Sequence, residues 1–196
     1  MEIGNRKNVV FDFGNVLIKW QPELLAKRLF SDPEEIQYVL NVVWSSDWNA
    51  RLDRGESFQA LAQERMKEYP EYREAISAYV NDWFDMVPGE VPGMLEFVRF
   101  LKADGYHRIY GLSNFSNETL PTARERFEVL REIDDYVISA ECGYIKPQPE
   151  IYLYFLKKFQ LEPEDCVFID DSKINLDMAE RFGFETIHFL WKKMFV

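Results

Sequence analysis

Four sets of polar residues in this 196-residue chain follow apolar runs: Asp12, Ser113-Asn114, Lys146 and Asp170-Asp171. Asp12 interrupts the stretch Val9-Val10-Phe11-Asp12-Phe13 just before Gly14-Asn15. An unpaired charge is costly to bury. At a strand's end, facing a crevice, the same carboxylate can act as a nucleophile or a metal ligand. Each set also has a plainer reading. A lone Asp serves as a helix cap, Ser-Asn as a turn and Lys146 as a solvated charge. A vicinal Asp pair suits a helix's first turn. Together, at successive strand ends, they predict one site, because the carboxyl ends of an open parallel sheet share the edge where ligands bind. Asp170 and Asp171 are hard oxygen ligands suited to Mg²⁺, and Asp12 can share that ion. Ser113 can hold phosphate oxygens, and Lys146 supplies a fixed positive charge. That set permits phosphoryl transfer through an aspartyl-phosphate, followed by attack of water.

The elements that must position these residues alternate. Strands are predicted at 9–13, 108–112, 136–139, 166–169 and 186–189. Helices are expected from Pro92 to Gly105, from Ser116, from Pro149 through Phe159, and from the Asp pair to Gly183. Alternation of this kind predicts βαβ crossovers and a parallel sheet with helices on both faces. Between about 20 and 87 only helical patterns occur. Asp32 reads as an N-cap with Pro33 at the first helical position and Glu35 closing a capping box. Ser57 caps the next helix, and a further one runs from Glu71 to about Asp85. The expected architecture is a three-layer Rossmann-like α/β core (1–18 and 88–196) with a helical cap (19–87) inserted after the first strand.

Composition narrows the function classes. The chain is 47% hydrophobic and 16% aromatic, with a formal net charge of −11. An acidic surface argues against nucleic acid, whose binders carry a basic face. Cys142 and Cys166 form no CxxC motif, and His107 and His188 are too few for an obvious zinc site. These four are read as structural or surface groups. With no leader pattern and no long apolar span, a cytoplasmic protein without membrane contact is expected, as a monomer or homodimer.

The motifs resemble those of the haloacid dehalogenase superfamily. Phe11-Asp12-Phe13-Gly14-Asn15-Val16-Leu17 is similar to its first motif, and Leu112-Ser113-Asn114 to its second. Residues 144–152, around Lys146-Pro147, are similar to the third. Val167-Phe168-Ile169-Asp170-Asp171-Ser172, with Asn175 downstream, is similar to the fourth. The resemblance implies that Asp12 is the nucleophile. It also implies that Asp12, the backbone carbonyl of Gly14 and Asp171 hold Mg²⁺, with Asp170 assisting. Ser113, Asn114 and Lys146 would meet the substrate. The first motif looks closest to the branch of sugar-phosphate phosphatases such as α-D-glucose-1-phosphate phosphatase. One departure stands out: most phosphatases of this family carry a second Asp two positions after the nucleophile as general acid and base, and here that position is Gly14.

The resulting expectation is a Mg²⁺-dependent phosphatase of a small phosphorylated metabolite. Two alternatives stand beside it: a metal-independent haloacid dehalogenase, which the acidic pair argues against, and a phospho-ligand-binding relative with weak turnover. In the cap, Asp53-Arg54-Gly55-Glu56 is either a loop dipping over the site, with Arg54 meeting substrate, or a surface turn. Trp44 and Trp48 either stack on a sugar or, as helix aromatics more commonly do, pack the core.

Overall fold

The computed structural model describes residues 6–191; the outermost parts of the expected core range, 1–5 and 192–196, lie outside the described residues. Five strands, β1 (Asn8–Phe11), β2 (Arg108–Ser113), β3 (Asp135–Ile138), β4 (Cys166–Asp170) and β5 (Glu185–His188), form one sheet in the order β3-β2-β1-β4-β5. Every pairing is parallel. The chain builds outward from β1 first on one side and then on the other. The strand order therefore reverses beside β1, and a ligand crevice opens at the carboxyl ends of β1 and β4.

Buried β-branched and aromatic residues fill both faces of the sheet, as parallel strands covered on two sides require. Val9 and Phe11 face a core shared with the cap, whereas Val10 faces a second core. Within that second core, Tyr152 and Phe155 are fully buried on the helix Pro149–Phe159. Each such burial is worth about 1.5–3 kcal/mol.

Between Pro22 and Met86 the regular elements are α1 (Pro22–Leu29), α2 (Pro33–Tyr38), α3 (Ser46–Asp53), α4 (Phe58–Glu68) and α5 (Arg73–Asn81), joined by shorter helical turns. Asp32 caps α2, and Ser57 caps α4. The hydroxyl of Ser45, at the N-cap of α3, accepts the Trp48 N–H. The single helix predicted over 71–85 is instead three pieces: 3-10 turns at Pro70–Tyr72 and Trp83–Met86 flank α5. Trp83 is drawn out of helical register to pack on Trp20 and Phe115, with ring centroids 5.1 and 5.6 Å away. The segments leaving and re-entering the core run side by side: Lys19 N donates to Gly89 O, Gln21 N to Met86 O, and Val91 N to Leu17 O, at 2.8–2.9 Å.

The core helices are α6 (Met94–Lys102), α7 (Leu120–Arg126), α8 (Glu128–Arg131), α9 (Ser139–Cys142), α10 (Pro149–Phe159) and α11 (Lys173–Phe182). The helix expected from Ser116 begins only at Leu120, because the buried Ser116 hydroxyl accepts the Glu118 N–H in a turn. After β3, residues 139–142 form the single turn α9.

Candidate active site

The residue after β1 is Asp12, whose N–H donates to Ile169 O of β4 at 2.9 Å and holds it at the reversal point. Phe13 then turns inward beneath Gly111 of β2. A Cβ at Gly111 would lie 2.5 Å from the Phe13 ring, so glycine is what allows that ring, and hence the turn carrying Asp12, to sit where it does.

Three donors converge on Asp12 Oδ1: Phe13 N and Ser113 Oγ at 2.7 Å each, and Lys146 Nζ at 2.9 Å. Lys146 is buried and also donates to Asp170 Oδ2 (2.6 Å) and Leu112 O (2.9 Å). Its backbone is held by Asn114: Lys146 N donates to Asn114 Oδ1 at 2.7 Å, and Asn114 Nδ2 donates to Lys146 O at 3.1 Å. Asn114 thus spends both ends of its amide positioning Lys146. Asp170, fully buried, further accepts from Ser172 N (2.8 Å) and from Asn175 Nδ2 at 3.1 and 3.2 Å. Asp171, half-buried, accepts from Asn15 Nδ2 at 3.0 Å.

Asp12, Asp170 and Asp171 each offer an oxygen within 4.8 Å of the others. Three carboxylates against the single ammonium of Lys146 leave two excess negative charges, the complement of one divalent cation. Short carboxylate oxygens at the mouth of a water-accessible cavity suit Mg²⁺. Burial raises the Asp12 pKa, with Lys146 opposing and Asp170 and Asp171 adding to the rise. Burial and then Asp170 likewise raise Asp171. Both shifts arise because burial and crowding by like charges disfavour the ionised form.

A cavity of about 200 Å³ opens over these groups, walled by Asp12, Gly14, Ser113, Asn114, Lys146 and Asp171 on the core side. Asp170 lies behind the wall, against Lys146. The cap contributes Asn49, Asp53 and Phe58, and Lys19, Trp20 and Trp83 line the side where the cap joins the core. Six of the sequence-predicted site residues, with the Asp170 carboxylate behind them, are therefore brought together; Arg54 is not among the cavity residues. The Arg54 guanidinium folds back toward Ala50 O at 3.4 Å, while Asp53 beside it faces the cavity. Trp44 and Trp48 pack on Tyr79, with centroids 5.2 and 4.9 Å away, as the core-packing reading expects. Trp20 and Trp83 are the aromatic walls instead. Of the Asp53-Arg54-Gly55-Glu56 stretch it is Asp53, not Arg54, that reaches the cavity; sequence reasoning missed Asn49 and Phe58, which carry no motif and meet the site only through docking of the cap. Of the groups read as structural, Cys166 is buried and Cys142 half-buried, both as free thiols. His107 pairs with Asp104 at 3.3 Å, and His188 Nε2 lies 3.0 Å from Asp171 O.

The sequence profile of the haloacid dehalogenase-like hydrolases matches residues 7–183. The chain belongs to the haloacid dehalogenase-like hydrolases. It is 25% identical over 198 residues to a D-ribitol-5-phosphate phosphatase of Bacteroides thetaiotaomicron, covering 92% of this chain and 90% of that one. It is 31% identical over 99 residues to a phosphorylated carbohydrates phosphatase of Thermotoga maritima, covering 50% and 45%. It also matches drimenol cyclase drtB of Aspergillus calidoustus at 26% identity, where it spans only 33% of the longer protein. Among solved structures of the haloacid dehalogenase-like fold, a hydrolase from Porphyromonas gingivalis superposes with a TM-score of 0.73 at 22% identity, covering 94% and 91%. An enzyme of the same family from B. thetaiotaomicron, in complex with magnesium and inorganic phosphate, superposes at 0.69 and 21%, covering 97% and 100%. These two structures bear out the fold. Among the described residues, no helix is long and apolar enough to cross a membrane.

Proposed function

We propose that the chain is a Mg²⁺-dependent phosphatase acting on a small phosphorylated carbohydrate or polyol, with Asp12 as nucleophile. The observation that carries this reading is the convergence of Asp12, Asp170 and Asp171 about buried Lys146 at the floor of a cavity. The carboxylates of Asp12, Asp170 and Asp171, with the Gly14 carbonyl, would hold Mg²⁺. When bound, that ion offsets repulsion between anionic nucleophile and anionic substrate.

In this reading Ser113 and Lys146 hold Asp12 in one orientation, and Lys146 presents positive charge to the phosphoryl oxygens. Asn114 fixes the Lys146 backbone, and Asn175 and Ser172 N fix Asp170. Phosphorus accepts an Asp12 oxygen as its bond to the leaving oxygen breaks, and water then cleaves the aspartyl-phosphate. The aromatic and amide walls, Trp20, Trp83 and Asn49, suit an uncharged hydroxylated skeleton. The carbohydrate-directed relatives support the same substrate class. A metal-free dehalogenase would not need a buried carboxylate cluster exceeding its lysine by two charges.

The test is turnover. The purified chain should hydrolyse p-nitrophenyl phosphate and sugar or polyol phosphates with Mg²⁺, lose turnover in EDTA and lose it in Asp12→Asn. Metal-independent chloride release from 2-chloropropionate, or phospho-ligand binding without turnover, would overturn the reading.

A further inference from the structure

Phosphoryl transfer to Asp12 leaves an alkoxide that must gain a proton, and the water of the second step must lose one. Gly14 supplies neither service. Of the titratable side chains on the cavity wall, Asp12, Asp171 and Lys146 are bound up in the charged cluster, and Lys19 sits 5.4 Å from the Trp191 ring centroid. The remaining one is Asp53, the last residue of α3, brought in by the cap.

Resting on the phosphatase reading, we propose that Asp53 is the acid that protonates the leaving oxygen and the base that activates water. In the first step an Asp12 oxygen bonds to phosphorus, the bond to the leaving oxygen breaks with its electron pair, and the Asp53 carboxyl proton passes to that oxygen. In the second step the Asp53 carboxylate takes a proton from water as the water oxygen bonds to phosphorus. The phosphorus–Asp12 bond then breaks, leaving inorganic phosphate, the Asp12 carboxylate and a reprotonated Asp53.

The side chain is held for such a task. Asn49 Nδ2 donates to Asp53 Oδ2 at 2.8 Å, and Tyr79 OH holds Asn49 Oδ1 at 2.5 Å. From the core, Ser139 Oγ donates to the Asp53 backbone oxygen at 2.5 Å. Beside it the loop presses on the core at Gly55, whose φ is +94°, and a Cβ there would lie 3.2 Å from Ala140 O. Asp53 is thus tied to both cap and core and hydrogen-bonds to Asn49. Burial pushes its pKa up to about 7, with Asp12 adding to the rise and Arg54 and Lys146 opposing it. Tyr79 is the other titratable neighbour, Asp53 adding to the rise that burial imposes on its hydroxyl, and Lys19 lines the same cavity. A general acid works best when its pKa lies near the operating pH.

The experiment compares kcat/KM of the Mg²⁺-loaded protein for p-nitrophenyl phosphate and for alkyl phosphates, whose poor leaving groups need the proton. In Asp53→Asn the alkyl value should fall about 10²–10⁴-fold while the p-nitrophenyl value falls less than about tenfold. A second measurement needs no variant. In the wild type, kcat/KM for alkyl but not p-nitrophenyl phosphate should decline as pH rises past about 7, where burial places the Asp53 pKa. Equal losses for both substrates, or the same pH limb for both, would overturn the assignment. A wild type that turns over neither substrate would instead remove the phosphatase reading on which it rests.

Discussion

Replacing Lys146 by Met keeps most of the stem's volume and deletes the one ammonium at the centre of the acidic cluster. Its side chain is 1% exposed, and those of its partners Asp12 and Asp170 are 11% and 0% exposed. Removing one partner of a buried ion pair leaves an uncompensated buried charge and costs about 3–5 kcal/mol. For a chain of this length that lowers Tm by roughly 6–20 °C. The pH dependence has a definite sign. Burial already raises the Asp12 pKa against Lys146, and deleting Lys146 raises it further. A carboxyl whose folded pKa exceeds its unfolded value binds its proton more tightly in the fold, so stability falls as pH rises through the folded value and recovers below it. Urea unfolding of Lys146→Met in EDTA should show a small deficit near pH 5 that grows as pH rises through neutrality and is full only above the raised Asp12 value. A full deficit under about 1 kcal/mol, or one equal at both ends of that range, would refute the charge accounting.

Three further outcomes follow from the same geometry. Mg²⁺ at about a hundredfold excess over its Kd should stabilise the wild type by about 2.7 kcal/mol, roughly 5–11 °C in Tm; a calorimetric scan of Asp171→Asn with the same shift would contradict the proposed ligand set. Gly111→Ala places a methyl 2.5 Å from the Phe13 ring; the overpacking should cost about 1–3 kcal/mol by denaturant unfolding. A Cβ at Gly14 meets nothing within 4 Å, so Gly14→Asp added to Asp53→Asn should recover about tenfold or more in alkyl-phosphate kcat/KM, and no gain would contradict proton transfer as the missing step.

The sheet was legible in the sequence because its strands are buried on both faces and read as apolar runs broken by polar residues. Asp12, Ser113 and Asp170 stand where those runs end, and parallel pairing gathers them at one edge; Lys146 lies beyond α9 instead of at the end of β3, and its bonds to Asn114 bring it in. Helix boundaries in the cap were less legible because tertiary packing overrode local pattern. Trp83 leaves the helical register to meet Trp20, and Ser116 spends its hydroxyl in a turn before α7. Asp53 was hidden for another reason. Its neighbour Arg54 carries the charge expected to meet an anion, yet Asp53, held by Asn49, faces the cavity while Arg54 folds back toward Ala50 O. Nothing local in Asp53-Arg54-Gly55-Glu56 records which face meets the core; the contacts to Ser139 and Ala140 that seat this stretch come from nearly ninety residues away.

The central claim is that Asp12 attacks phosphorus, and the most direct measurement looks for the bond it forms. The Mg²⁺-loaded protein should be mixed with a phosphorylated substrate, quenched in acid within one turnover, and digested for mass spectrometry. The peptide containing Asp12 should carry one phosphoryl group on that carboxylate, and Asp12→Asn should carry none. Product formation with Asp12 unmodified at every quench time, or a phosphoryl group on a different residue, would contradict the account.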